Sequence, residues 1–317
     1  MVLPSVWLAA PALCAAQPSP KIARIGILMA ATGGARLENL RAGLRELGLI
    51  EGRHYVFELR EAGGISERLP ALAAELVSLG VDVMVTAGTP STRALKQATT
   101  TIPIIMAANG DAIATGMVTS LARPGGNITG LTYFAPELHV KRLELLAQVV
   151  PQLRRVGVLV NPGNLQTIDA TLPALRSAAE VMKIELMVAE ARNPGEFERA
   201  FSAMTMARVE AIAIADDPMF IGNFRTLAEM AAARRLPSNG AKEYAELGGL
   251  VGYGADLIGM WRQAGSYVSR ILKGAKPADL PVEQATKFEL VLNLKTAQAI
   301  GIKIPSSMRV RADSVIE

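Results

Sequence analysis

One cysteine and two histidines are all the thiol and imidazole that 317 residues supply. Cys14 lies in the N-terminal segment, so a chain cut after it carries no thiol. Disulfide scaffolds, thiol catalysis and Cys-ligated metal sites are then excluded together. His54 and His139 each stand alone in amphipathic surroundings, where a solvated or capping imidazole is the simpler reading. No metal and no cofactor is expected. Phosphate chemistry has no signature either, because neither a GxxxxGK[ST] loop nor a GxSxG elbow occurs. "GYGADLIG" (252–259) has the place of a dinucleotide fingerprint, but Leu257 stands where its third glycine belongs. A tight strand-to-helix turn accounts for it. Charge is close to balance, with 33 Lys+Arg against 29 Asp+Glu and a net +4. Both signs are interspersed, so no nucleic-acid surface is expected.

What the chain does have is apolar mass, with half of its residues hydrophobic. That is enough for two cores. Residues 2–16 are apolar and rich in small side chains, and "QPSP" follows before the first strand. This resembles the core and cleavage end of a secretory signal, cut near Ala16, although no Lys or Arg precedes it. The expectation is an exported, periplasmic protein whose signal is truncated at its start in this sequence. The run is too short for a membrane span, and Leu13 before Cys14 argues against a lipid anchor.

From Lys21 onward, short β-rich runs alternate with amphipathic helical ones. "IARIGIL" reads as a buried strand, and "ARLENLRAGLRELGL" repeats leucine at helical spacing. "TPSTRALKQAT" opens on Thr89 with Pro90 in the first turn. The same alternation restarts after residue 135, which predicts α/β with parallel sheets covered on both faces. Between the two series lies "SLARPGGNITGLTYF" (120–134), where a helix-like run stops at Pro124 and Gly125, Gly126 and Gly130 follow. We read it as the first crossing between two Rossmann-like lobes, with the three glycines as hinge. The lobes are expected at 21–130 plus about 255–280, and at 131–254 plus about 281–317.

In parallel α/β sheets, ligands bind beyond the carboxyl ends of the strands. Those ends carry "MAATGG", "TAGTPST", "AANGD", "VNPGN", "ADDPMF" and "NGAKEY". Candidate ligand-binding residues are therefore Thr32, Thr89, Ser91, Thr92, Asn109, Asp111, Asn161, Asp216 and Asp217. The hydroxyls beside a helix N-terminus suit a carboxylate, and capping alone is equally open to them. Asp216 and Asp217 are each either a helix cap or an acceptor for a ligand amine. Tyr133, Phe134, Phe220 and Tyr244 supply aromatic walls, while Phe197, Phe201 and Phe224 fit a core. The set favours an amino acid or related carboxylate, aromatic ones included, over a sugar or inorganic anion.

"TAGTPSTRALKQATTTIPIIMAANGD", "SLARPGGNITGLT", "LPVEQATKFELVLNLKTAQAIGIKIP" and the ending "RADSVIE" resemble the bacterial ABC-transporter substrate-binding protein family with a type I periplasmic-binding fold. One departure is Asp111-Ala112-Ile113 where members commonly have Asp-Pro-Val. The resemblance implies two lobes joined by a multi-strand hinge, capture of a small molecule between them, and a membrane permease as partner. It also implies a monomer and no catalysis. The rivals are a nucleotide-dependent enzyme on a doubly wound scaffold and a two-lobed ligand-sensing regulator. The missing phosphate loop counts against the first, and the signal-like start against the second.

Overall fold

The computed structural model describes residues 22–317 apart from 32, 134, 165 and 166. The signal-like segment, Thr32 and Phe134 lie outside the described residues. Strands β1 (Ala23–Met29), β2 (Tyr55–Glu61), β3 (Val83–Ala87), β4 (Ile104–Asn109) and β5 (Ile128–Thr132) form a parallel sheet with β11 (Glu283–Gln284). Its order is β11-β5-β4-β3-β1-β2. A second sheet is built from β6 (Arg155–Val160), β7 (Glu185–Glu190), β8 (Ala211–Ile214), β9 (Ser238–Gly240), β10 (Val251–Gly254), β12 (Glu289–Asn293) and β13 (Ser314–Ile316). It runs β13-β12-β10-β9-β8-β6-β7, parallel except where β10 meets β12. β4 and β5 are buried along their whole length, as central strands covered on both faces must be, whereas the edge strand β7 is only partly covered.

Helices α1 (Gly34–Glu46), α2 (Leu69–Ser78) and α3 (Thr89–Ala98) connect the first sheet. The second carries α4 (Ala135–Val149), α5 (Leu172–Met182), α6 (Phe197–Met206), α7 (Pro218–Gly222), α8 (Phe224–Ala233) and α9 (Lys242–Glu246). α10 (Leu257–Leu272) then returns to pack along α1 and against β4, and α11 (Leu294–Ile300) and α12 (Ser306–Arg311) complete the second lobe. α1 and α10 approach to backbone contact, because a Cβ at Gly43 would overlap the Arg262 carbonyl and one at Gly265 would meet Gly43 itself.

Both sheets share one doubly wound order: β2-β1-β3-β4-β5 in the first is matched by β7-β6-β8-β9-β10 in the second. Each therefore has a switch point, between β1 and β3 and between β6 and β8, where connections leave to opposite faces and open a crevice.

The chain passes between sheets after β5, between β10 and α10, and between β11 and β12. This corrects the hinge expected at "RPGGNITG". Gly125 and Gly126 lie in the loop leading into β5, inside the first lobe. Gly130 lies within β5, paired with Met106 of β4, and a Cβ there would strike the Met106 backbone. Its glycine answers a close approach between strands rather than a hinge. The helix expected before Arg123 does not form either. Asp111 Oδ1 accepts from Ile113 N (3.0 Å) and Ala114 N (2.9 Å), turning residues 112–117 into tight turns. α7 and α8 are separated at Asn223, whose side-chain amide donates to the Met219 carbonyl. Pairing of β11 with β5 also keeps the chain on the first sheet to residue 284, beyond the boundary expected near 280.

Candidate functional site

The two switch points face each other across one cavity, with an empty volume of about 570 Å³ counting the part open to solvent. The first lobe contributes Met29 and Ala30 at the end of β1, Arg36 from α1, Gly88 and Thr89 at the start of α3, and Tyr133 after β5. The second contributes Asn164, Asp216, Asp217, Pro218 and Ile221, all following β6 or β8. Leu257 and Trp261, at the start of α10, close one side. The lobes touch around it. A Cβ on Gly88 would overlap Pro218, and one on Gly64 would stand 3.2 Å from both Met219 and Pro194. This is a closed cleft.

The second lobe's acids are held by other groups. Asp216 Oδ1 accepts from Arg142 Nη1 at 2.7 Å, with both side chains almost fully buried. Arg142, from α4, also donates through Nε to the Tyr253 carbonyl at 2.6 Å. Gly254 leaves the guanidinium its room, since a Cβ there would stand 3.0 Å from Arg142 Nη2. The Asp216 backbone N–H donates to His139 Nε2 at 2.8 Å. Burial pushes the Asp216 carboxyl up, but the guanidinium beside it prevails and holds it below the usual carboxylate range. Its Oδ2 is buried and has no hydrogen-bond partner among the described residues.

Asp217 is more completely occupied. Oδ1 caps α7 by accepting from Met219 N at 2.9 Å. Oδ2 accepts from Asn161 Nδ2 (3.2 Å) and Asn164 Nδ2 (3.1 Å), and burial raises the carboxyl's pKa. Asn164 Oδ1 is left buried without a partner among the described residues. So Asp216 has a spare acceptor, whereas both Asp217 oxygens are engaged.

The other candidates separate into wall and scaffold. Thr89 and Tyr133 border the cavity, and burial raises the Tyr133 phenol's pKa. Ser91 and Thr92 are buried behind the wall, with the Thr92 hydroxyl within reach of the Gly88 carbonyl (2.9 Å) and Asn109 Oδ1 (3.2 Å). Asn161 holds Asp217 and its own loop, accepting from Gly163 N at 2.9 Å. Asp111 organises its turn and does not line the cavity. Phe220 and Tyr244 are corrections, since both are fully buried in the second lobe's core. Phe220 packs on Phe197 (ring centroids 5.9 Å) and Tyr244 on Phe224 (5.2 Å), while the Tyr244 hydroxyl bonds Ser238 Oγ at 2.7 Å. Each follows a strand end, but the short helix that carries it turns the ring inward.

Sequence reasoning missed Arg36, Trp261, Arg142 and Glu243. Glu243 Oε1 accepts from Leu257 N at 2.8 Å, so an acid of the second lobe caps the helix that returns to the first. Its Oε2 is buried without a partner among the described residues, and burial pushes the carboxyl up to about 7. For Arg36 a signal existed. It is a cation in the first turn of a helix, where the macrodipole disfavours one.

Two doubly wound lobes closed over a cavity at their switch points define a two-lobed solute-binding architecture. Residues 24–316 match the family of ABC transporter substrate binding proteins, and the chain belongs to that family. Its members bind small molecules and work with the permease of an ABC transporter. Among curated proteins, the chain is 24% identical over 262 residues to the tyrosine-binding protein of Clostridioides difficile (strain R20291), covering 82% of this chain and 74% of the relative. Among solved structures it resembles a conserved domain protein from Vibrio cholerae O1 biovar El Tor (TM-score 0.85, 29% identity, 93% of this chain and 100% of that one). It is also similar to an ABC domain from Streptococcus pneumoniae in complex with L-Trp (TM-score 0.83, 27% identity, 93% and 100% covered).

Proposed function

We propose that this protein is the exported capture component of an ABC uptake system and that its ligand is an amino acid with a large, apolar, aromatic side chain. The observation that carries the reading is Asp216, an ionised residue lining a cavity that also presents Tyr133 and Trp261, whose buried Oδ2 has no hydrogen-bond partner among the described residues. A ligand ammonium satisfies that oxygen, and the rings and Leu257 take an apolar side chain. The relatives that bind tyrosine and tryptophan support the same class. In this reading the chain acts as a monomer, is secreted by the segment before Lys21, and closes by rotation about its three crossings. The closed form is what the permease receives, and the ligand's greater affinity for it drives closure.

Native mass spectrometry of the purified protein, then calorimetric titration with the twenty amino acids, identifies the ligand. Asp216→Asn keeps the shape and removes the charge. A buried charge-assisted hydrogen bond is worth roughly 1.5–3 kcal/mol, so affinity for the amino acid should fall about tenfold or more. An unchanged affinity, or a retained ligand without an amine, overturns the amino-acid assignment and leaves the transport role standing.

A further inference from the structure

Arg36 is an anomaly in its own helix. It occupies the third position of α1, directly after the switch point of the first sheet, and the first turn holds no acid to balance it. The positive end of the helix dipole disfavours a cation there. Arg41 of the same helix reaches Glu51 at 2.6 Å and Arg262 of α10 bonds Glu46, while Arg45, in the last turn of α1, is exposed to solvent. The Arg36 guanidinium, half-buried at the cavity wall, makes no hydrogen bond and no ion pair among the described residues. Burial lowers its pKa from the ordinary arginine value, and Glu243 and Tyr133 oppose that shift through space. An arginine stays ionised in such a place, so a desolvated charge sits without its counter-anion. Thr89, at the head of the ten-residue helix α3, lines the same wall.

Across the cavity the pattern is reversed, with acceptors at Asp216 Oδ2 and Asn164 Oδ1 that have no partner among the described residues. No ion pair joins Arg36 to Asp216, although both border the same space. A molecule carrying an anion at one end and a cation at the other completes both walls at once.

Resting on the amino-acid reading above, we infer that Arg36 is the residue that recognises the ligand's carboxylate and makes this site select α-amino acids over the corresponding amines. The carboxylate binds the first lobe through the planar guanidinium fork, and the ammonium binds the second lobe at Asp216. The two charged ends of the ligand then tie the lobes together.

The test is calorimetric titration of wild type, Arg36→Met and Arg36→Lys with L-tryptophan, L-tyrosine, tryptamine and tyramine. Wild type should prefer each amino acid over its decarboxylated amine by about tenfold to a hundredfold. Arg36→Met should lose that preference by weakening the amino acids and leaving the amines within about twofold. Arg36→Lys, which keeps the charge without the fork, should fall between them. Because the guanidinium has no partner to abandon, Arg36→Met should melt at or above the wild-type temperature. Equal losses for amino acid and amine assign Arg36 a structural role and overturn the inference, as does no loss for either. Should Arg36→Met fail to fold, the preference ratio of Arg36→Lys decides alone. If wild type binds none of the four probes, the amino-acid reading falls and this inference falls with it.

Discussion

The two walls of the cavity are built on opposite plans. On the second lobe every charged group is anchored: Asp216 by Arg142 and the His139 ring, Asp217 by two asparagines and the N-terminus of α7. On the first lobe the one cation, Arg36, is anchored by nothing among the described residues. An acceptor held in place beforehand costs the ligand no ordering, which favours tight binding. A cation left unpaired makes the empty wall less stable and rewards the arrival of an anion. One lobe is preorganised and the other is completed by what it binds.

Breaking the anchored side should have the largest consequence. Arg142→Met removes the partner of a fully buried carboxylate, a change that typically costs about 3–5 kcal/mol. Denaturant unfolding should show that loss, and Asp216→Asn added to it should restore a substantial part, because no charge is then stranded. The pair also gives stability a pH dependence of known sign. Asp216 titrates below the ordinary carboxylate range in the folded protein. Its contribution is therefore complete above the unfolded value near ~3.9 and is lost as pH falls through the lower folded one. Arg142→Met should abolish that acid-limb slope. If the single variant is as stable as wild type, the second lobe is not preorganised in the way described.

Why the strand ends on both walls were legible in the sequence, and the partners that fix their side chains were not, follows from the physics of each. Strand ends announce themselves by punctuation, so "ADDP" and "TAGTPST" could be placed at carboxyl ends and hence near a ligand. Which of two adjacent aspartates keeps a free oxygen depends on partners 74 and 53 positions away in sequence, Arg142 for Asp216 and Asn164 for Asp217. No local pattern encodes those. Tyr244 and Phe220 illustrate the opposite error. Proximity to a strand end suggested a wall, but a five-residue helix rotates its ring by about 100° per position, and here both rings turn to the core. "PGGNITG" misled for a related reason. Glycine marks freedom and close packing with the same letter, and only the pairing of β5 with β4 shows that Gly130 serves the second. The repeated alternation, by contrast, is a property of long segments, and it gave both doubly wound sheets.

The meeting of the walls can be sharpened at Gly88. Its φ of +78° is a conformation that glycine adopts freely, and its missing Cβ leaves space for Pro218 of the opposite lobe. Gly88→Ala therefore carries two penalties. With ψ at +149° this is an extended positive-φ conformation reserved essentially for glycine, so strain of about 1–3 kcal/mol acts in open and closed forms alike and appears as a lower melting temperature without ligand. The overlap with Pro218 acts only when the lobes are closed. Overpacking of that kind costs about 1–3 kcal/mol, which is a loss of roughly five- to a hundredfold in affinity. Adding Pro218→Ala removes the ring atoms concerned and should return the affinity but not the melting temperature. Solution scattering on saturated Gly88→Ala should give a less compact particle than saturated wild type. Equal affinities would mean that Gly88 and Pro218 are not a closure contact.

The smallest expected effect tests whether the second lobe's wall ends where the geometry puts it. Tyr244 is fully buried, edge-on to Phe224, and its hydroxyl is matched to Ser238 Oγ. Tyr244→Phe keeps the ring and its packing but strands one serine hydroxyl in the core, for about 1 kcal/mol of stability. Ligand affinity should stay within about twofold, because no atom of Tyr244 borders the cavity. Tyr133→Phe is the companion measurement, since that ring does line the site and its loss of the phenol oxygen should register in the titration. A Tyr244→Phe variant that unfolds like wild type yet binds tenfold more weakly would put the ring back on the wall. It would also mean that the second lobe presents an aromatic surface in addition to its anchored acids, and the contrast between the two walls would then rest on charge alone.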